Sequence, residues 1–230
     1  MNELPLYIQI SELITREIAA GLYLAGDKLP PESELATTLG VAVGTLRKAL
    51  TELETRGLLE RRQGSGNYVK VAGTPQSSVY GFFKLELLRG GGLPTASIID
   101  FAKIETPKAF HASFSAACYR VRRLRSLGGL PVAIEEIYFD ARHQEDLGVE
   151  DLGEALYQFY QTQLGFWISH VEDRIGMDAV PDWSPSLFHP SIGNPCPRIE
   201  RVSWSGKNKI EEYSVTWFDP ERCRYVNRMK

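Results

Sequence analysis

The chain holds 230 residues, 43% of them apolar and 24% charged, with a net charge of −3. That suffices for one large or two small folded domains of ordinary globular composition. No apolar run approaches the roughly 20 residues of a membrane span, and "MNELPLYIQI" lacks a basic segment followed by an apolar one. Neither a spanning helix nor a secretory signal is therefore expected, and the protein reads as cytoplasmic.

Leu6, Ile10, Leu13, Ile14 and Ile18 recur at helical spacing and predict a first helix, with Pro5 in its first turn and Gly21 closing it. "AGDKLPPE" reads as a turn whose prolines force an extended approach to the next element. "ESELATTLG" predicts a short second helix, with Leu35 and Leu39 on one face and Gly40 as its stop. A third helix is expected from about Gly44 to Arg56, with the stripe Leu46, Ala49, Leu50 and Leu53, ended by Gly57. "LLERRQ" and "NYVKV" predict two short strands around Gly64-Ser65-Gly66. Three helices and a hairpin in this order make a winged helix-turn-helix over residues 1–71.

"AGTPQSS", residues 72–78, is small, polar and proline-containing, and reads as a linker. Residues 79–230 form a second domain. Six stretches there read as strands: "ASIIDFAKIE", "YRVRRLRSL", "LPVAIEEIYF", "FWISHVEDRIGMDAV", "PRIERVSWSG" and "KIEEYSVTWF". Helices are expected at "YGFFKLELLRG", "TPKAFHASFS" and "LGEALYQFYQTQLG". The fold class is α+β, with a mostly antiparallel sheet in the second domain. Cys118, Cys196 and Cys223 are far apart and predict buried free thiols. The four histidines (His111, His143, His170, His189) are scattered, so no metal or cofactor is expected.

The negative total argues against a nucleic-acid partner, but binding follows local potential. Residues 44–70 carry six basic side chains against three acidic ones. A recognition helix enters the major groove by its N-terminal end, here Gly44, Thr45, Arg47 and Lys48. Gly44 keeps the backbone bare for phosphate, and Thr45 offers a hydroxyl. Arg47 can fork onto guanine or clamp a phosphate, and Lys48 meets backbone. In the hairpin, Gly64 and Gly66 permit a narrow turn at the minor groove, and Gln63 can hydrogen-bond there. Arg61 and Arg62 fall on opposite strand faces, so at most one of them faces DNA; Arg62 is the candidate.

Residues 4–69 resemble the DNA-binding domain of GntR-type bacterial transcription regulators almost continuously. Residues 79–230 are similar, more sparsely, to the UTRA effector-binding domain of the HutC subfamily, whose fold is chorismate-lyase-like. That likeness rests on "YRVRRLRSLGGLPVAIEEIYF", "EALYQFY" and "PRIERVSWSGKNKIEEYSVTWF". The resemblance implies a homodimeric, ligand-responsive repressor on a palindromic operator of double-stranded DNA, with a small anionic effector. Ser33, a DNA-contact position, and Val43 stand where the family often has arginine, and only Arg47 is kept. An operator unlike the family's usual core is expected.

Arg123 and Arg125, two apart on one strand face, match family positions that bind an anionic ligand group. A sugar phosphate, sulfonate or carboxylate would suit them. Glu135 matches an acceptor for ligand hydroxyl or amide, and Tyr157 and Glu212 match further ligand positions. Phe82 would line the mouth. Ala155 stands where a serine often helps hold phosphate. The competing reading of Arg123 and Arg125 is an ion pair with Glu135 or Glu136 across a hairpin. Asp173 and Arg174 are read as isolated surface charges, and Trp167, Tyr157 and Phe159 as an aromatic core cluster. No nucleophile–base pair supports an enzyme. The alternative within regulation is an activator.

Overall fold

The computed structural model describes residues 4–70, 80–206 and 208–228, so the linker expected at 72–78 lies outside the described residues. The chain forms two compact units. One is Leu4–Leu93 with the chain from Tyr225, and the other is Pro94–Arg224.

In the N-terminal unit, α1 (Leu6–Ala20), α2 (Glu32–Leu39) and α3 (Val43–Thr55) precede a hairpin of β1 (Leu59–Arg62) and β2 (Gly66–Val69). Pro5 stands at the cap of α1 rather than inside its first turn, and Gly21 and Gly40 close α1 and α2 as expected. The stripes meet in one core: Ile10 and Ile14 of α1, Leu35 of α2, and Leu46, Leu50 and Leu53 of α3, closed by Leu29, Leu58, Leu59 and Val69. Burying each of these side chains is worth about 1.5–3 kcal/mol, which makes the helical periodicity decisive here.

The helix expected over residues 80–90 does not form. Tyr80 to Phe83 make a turn, Leu85–Leu87 is a short strand (β3), and Gly90 N–H turns back to Leu87 O at 2.7 Å. The reason is a competing donor. Arg16, buried on α1, donates to Gly92 O at 2.8 Å, to Phe83 O at 3.0 Å and to Leu85 O. A helix would have committed carbonyls of this segment to its own N–H groups. Glu86 accepts from both terminal nitrogens of Arg228 at 2.6 and 3.0 Å. Val226 N–H donates to Lys84 O at 2.8 Å within the same unit. Residues 80–93 thus group with the N-terminal unit, whereas the second domain was expected to begin at 79.

The C-terminal unit is built on a six-stranded antiparallel sheet in the order β4-β5-β6-β9-β8-β7. Its strands are β4 (Pro94–Glu105), β5 (Ala117–Leu127), β6 (Leu130–Asp140), β7 (Ile168–Ala179), β8 (Pro195–Ser205) and β9 (Ile210–Phe218). All six expected strands are present. Of the two helices expected here, "LGEALYQFYQTQLG" yields only α4 (Leu156–Thr162). "TPKAFHASFS" yields a single tight turn, Lys108–Phe110, anchored where Phe110 stacks on Tyr213 with ring centroids 4.3 Å apart. The three cysteines are buried and free. Burial pushes the Cys196 and Cys223 thiols up to about 11 and about 12, so they are poor nucleophiles. Among the described residues no helix is long and apolar enough to cross a membrane.

Candidate functional site

α3 begins at Val43, one residue earlier than expected, and no side chain caps that end. Gly44 is exposed, with open space where a Cβ would stand. Thr45 is half-buried, and Arg47 and Lys48 are exposed, as is Ser33 in the first turn of α2. The hairpin register pairs Arg62 with Gly66 and leaves Gln63, Gly64 and Ser65 as the tip. Gly64 and Gly66 have φ of 73° and 127°, values that a side-chain-bearing residue rarely adopts. A groove of about 670 Å³ runs between this tip and the start of α2, lined by Lys28, Pro31, Glu32, Arg61 and Gln63 among others.

Pattern reading missed the residue that organises this surface. Glu32 accepts from Arg47 Nε at 2.7 Å and from Arg61 Nη2 at 2.6 Å. The Arg47 hydrogen bond, reinforced by Arg61, holds its carboxyl below the usual range despite partial burial. Arg62 takes the opposite strand face, as alternation requires, and lies 4.2 Å above the Tyr68 ring beside Glu60. The structure therefore brings Arg61, not Arg62, together with Arg47. A fifteen-residue separation between Glu32 and Arg47 carries no local signal. Arg56, counted above within the basic block, is an internal group: it bonds buried Glu12 of α1, and Glu52 at 3.2 Å.

In the C-terminal unit the strand register assembles one polar face. Arg123 lies opposite Glu135, Glu135 opposite Thr216, Ser203 opposite Glu212, and Asp173 opposite Arg201. Arg123, Arg125, Glu135 and Glu212 are all buried. Glu135 Oε1 receives Arg123 Nη2 at 2.5 Å and Arg125 Nη1 at 3.3 Å. The expected alternative, an ion pair across the hairpin, is thus present, but as a buried pair rather than a surface one. Glu136 serves Arg122 instead, at 2.7 Å. Burial pushes the Glu135 carboxyl up, yet the charges of Arg123 and Arg125 outweigh that and hold it below the usual range. Arg123 also donates to Glu154 O at 3.1 Å, while its buried Nε has no hydrogen-bond acceptor among the described residues.

Glu212 is the second centre. Its oxygens accept from Tyr157 (3.0 Å), Tyr160 (2.8 Å) and Ser203 (3.1 Å). Burial raises its pKa, outweighing those hydrogen bonds and the nearby Arg201 and Arg123. Burial and the Glu212 charge in turn push the Tyr157 hydroxyl well up, so it stays a donor. Asp173 is not an isolated surface charge: its carboxylate, 7% exposed, takes Arg201 Nε and Nη2 at 2.6 and 2.7 Å. Register explains this, because Asp173 and Arg201 are paired directly across β7 and β8. Arg174 is on the exposed side, as expected. Trp167 is exposed and Phe159 buried, so Tyr157 joins the polar face while its expected cluster partners do not. Ala155 caps α4 and offers no hydroxyl. Phe82 belongs to the N-terminal unit, in the turn before β3. His189, Asp219 and Glu221 converge to within 4.8 Å. There Arg222 Nε already lies 3.2 Å from Asp219 Oδ2 and supplies the counter-charge.

These two surfaces can be set beside known proteins. Residues 6–69 match the model of bacterial regulatory proteins of the gntR family, and residues 91–224 match the UTRA domain. The HTH-type transcriptional regulator SmoD of Agrobacterium fabrum (strain C58) is 48% identical over 100% of this chain and 98% of its own length. The mannosyl-D-glycerate transport/metabolism system repressor MngR of Escherichia coli (strain K12) is 29% identical, over 98% of this chain and 96% of its own. The crystal structure of YydK from Bacillus subtilis covers 99% of this chain and 100% of its own with a TM-score of 0.55 at 21% identity, a likeness of fold. With a winged helix-turn-helix matched at one end and a UTRA domain over more than half its length, the chain belongs to the GntR family of DNA-binding transcription regulators, in its HutC-type branch.

Proposed function

We propose that this chain is a homodimeric repressor of an uptake or catabolic operon, released from a palindromic operator by a small anionic metabolite. A sugar phosphate or a related sulfonate or carboxylate fits best. DNA binding belongs to residues 1–71 and effector binding and dimerisation to 79–230. The observation that carries the reading is the buried face where Arg123 and Arg125 converge on Glu135, with Arg123 Nε lacking an acceptor. A buried N–H without an acceptor costs about 1–3 kcal/mol, a cost that an anionic ligand oxygen would remove. The carboxyl, tyrosine and serine groups around Glu212 suit the hydroxyls of a polyol body. The Escherichia coli relative, named for a glycerate glycoside system, supports this combination of acid and sugar.

Two copies would set two α3 helices on half-sites about one helical turn apart. The effector can release them only by favouring one arrangement of the DNA-binding units over another. The polar face is read as binding its ligand without converting it. A thermal-shift series of sugar phosphates, sulfonates and carboxylates tests the effector class. A ligand at a hundred times its Kd adds about 2.7 kcal/mol of stability. If only neutral compounds raise the melting temperature, the assignment of Arg123 and Arg125 is wrong.

For the DNA side, Arg47→Ala is expected to weaken operator binding by about 1–3 kcal/mol, roughly 5- to 160-fold, while leaving the melting temperature unchanged. Gel shifts on the gene's own upstream region at several salt concentrations read this directly. Unchanged affinity in that variant would remove α3 from the interface. A reporter whose expression fell on deleting the protein would favour an activator.

A further inference from the structure

The wing of the N-terminal unit is more than a two-stranded hairpin. Lys28 forms an isolated antiparallel bridge with Tyr68 of β2. On either side of it, Leu29 N–H donates to Asn67 O and Val69 N–H donates to Asp27 O, both at 2.9 Å. The segment before Pro30 is thus laid along β2. Leu29 is buried in the core and Lys28 is exposed, the alternation that an extended chain imposes.

The Lys28 side chain runs along the wing. A Cβ built on Gly66 would stand 3.0 Å from Lys28 Cε and 3.8 Å from Lys28 Nζ. Gly66 also has a φ of 127°. A side chain is therefore excluded there twice, by the backbone and by the lysine stem. This holds the ammonium beside the hairpin tip, in the groove between that tip and the start of α2.

Charge pairing sets Lys28 apart from its neighbours. Three cations line the groove: Lys28, Arg61 and Arg62. Arg61 is bound to Glu32, which also holds Arg47, and Arg62 lies 3.3 Å from Glu60. Among the described residues Lys28 alone of the three has no ion pair. Glu54, the groove's unmatched acid, is carried on the last turn of α3, whereas Lys28 lies across the wing. A cation whose carboxylate stays beside it brings little net charge to a phosphate, while an unpaired one brings a full charge. With α3 in the major groove and the wing in the adjacent minor groove, one sugar–phosphate strand has to pass between them.

We propose that Lys28 is the phosphate contact of the wing, gripping the strand that passes between α3 and the hairpin tip. The proposal rests on DNA binding by this unit and gives Lys28 the role that strand alternation had left to Arg62. The salt dependence of binding tests it, with the full chain on its own upstream region and on a duplex of unrelated sequence. Lys28→Gln keeps most of the stem and removes the charge. It is expected to make the slope of log K against log[salt] shallower by about 0.9 for each copy bound. Binding at about 0.1 M salt should weaken roughly 8-fold per copy. The loss should be equal on the two duplexes, because a phosphate contact carries no sequence information. Lys28→Arg should keep the wild-type slope, Arg62→Gln should change it by less than half as much as Lys28→Gln, and all three variants should melt with wild type. A wild type that binds duplex while Lys28→Gln keeps its slope overturns the contact and leaves DNA binding standing. A slope change found in Arg62→Gln but not in Lys28→Gln does the same and returns the contact to Arg62. A wild type that binds neither duplex overturns both.

Discussion

Arg123→Ala is expected to destabilise the C-terminal unit by about 3–5 kcal/mol. The variant leaves the buried Glu135 carboxylate with Arg125 as its remaining partner, at 3.3 Å. Removing one member of a buried ion pair strands the other charge, a larger effect than the pair's net worth. Urea unfolding of Arg123→Ala, Glu135→Gln and the double variant reads the coupling, and the double should recover part of the loss. Additive single effects would show that the two groups do not interact. The pH dependence follows from the same geometry. Glu135 has a folded pKa below its unfolded value, so its stabilising contribution is present above the unfolded pKa, about 4.3. It is lost as pH falls through the folded value. Glu212 has the opposite sign: with its folded pKa raised, its contribution is full below the unfolded pKa and is lost as pH rises through the folded one. In Arg123→Ala the acid-side loss from Glu135 should shrink.

Arg56→Ala should cost the N-terminal unit a similar amount, about 3–5 kcal/mol. Arg56 joins the end of α3 to the fully buried Glu12 of α1, with Glu52 beside it. Domains this small hold little stability in reserve, so the variant is expected to lose DNA binding by unfolding. Circular-dichroism melts alongside gel shifts separate this from a lost contact: Arg56→Ala should lower the melting temperature, whereas Arg47→Ala should not. A variant that melts like wild type but binds DNA weakly would make Arg56 a phosphate contact instead. Replacing Glu12 and Arg56 together by apolar residues of similar volume should be far milder.

Arg56 also marks how far the chain could be read before folding. It was counted in a basic block because charge density is a property of sequence windows, yet its partner lies 44 residues away. Glu32 escaped notice for the same reason, since only the folded chain brings Arg47 and Arg61 to one carboxylate. The expected helix at 80–90 failed on a non-local cause, the donors of Arg16 more than 60 residues upstream.

What the sequence determined by itself is the winged helix-turn-helix, the six strands of the second unit and the pairing of Arg123 with Arg125 on one face. Each depends on a period of 3.6 or 2 or on a nearby turn, and such signals survive in the order of residues. Tertiary structure alone decided which charges face inward and whom they meet. Strand register, not proximity in the chain, set Asp173 on Arg201 and Ser203 on Glu212. Buried charges must find partners wherever the fold supplies them, and the chain order carries no trace of that choice.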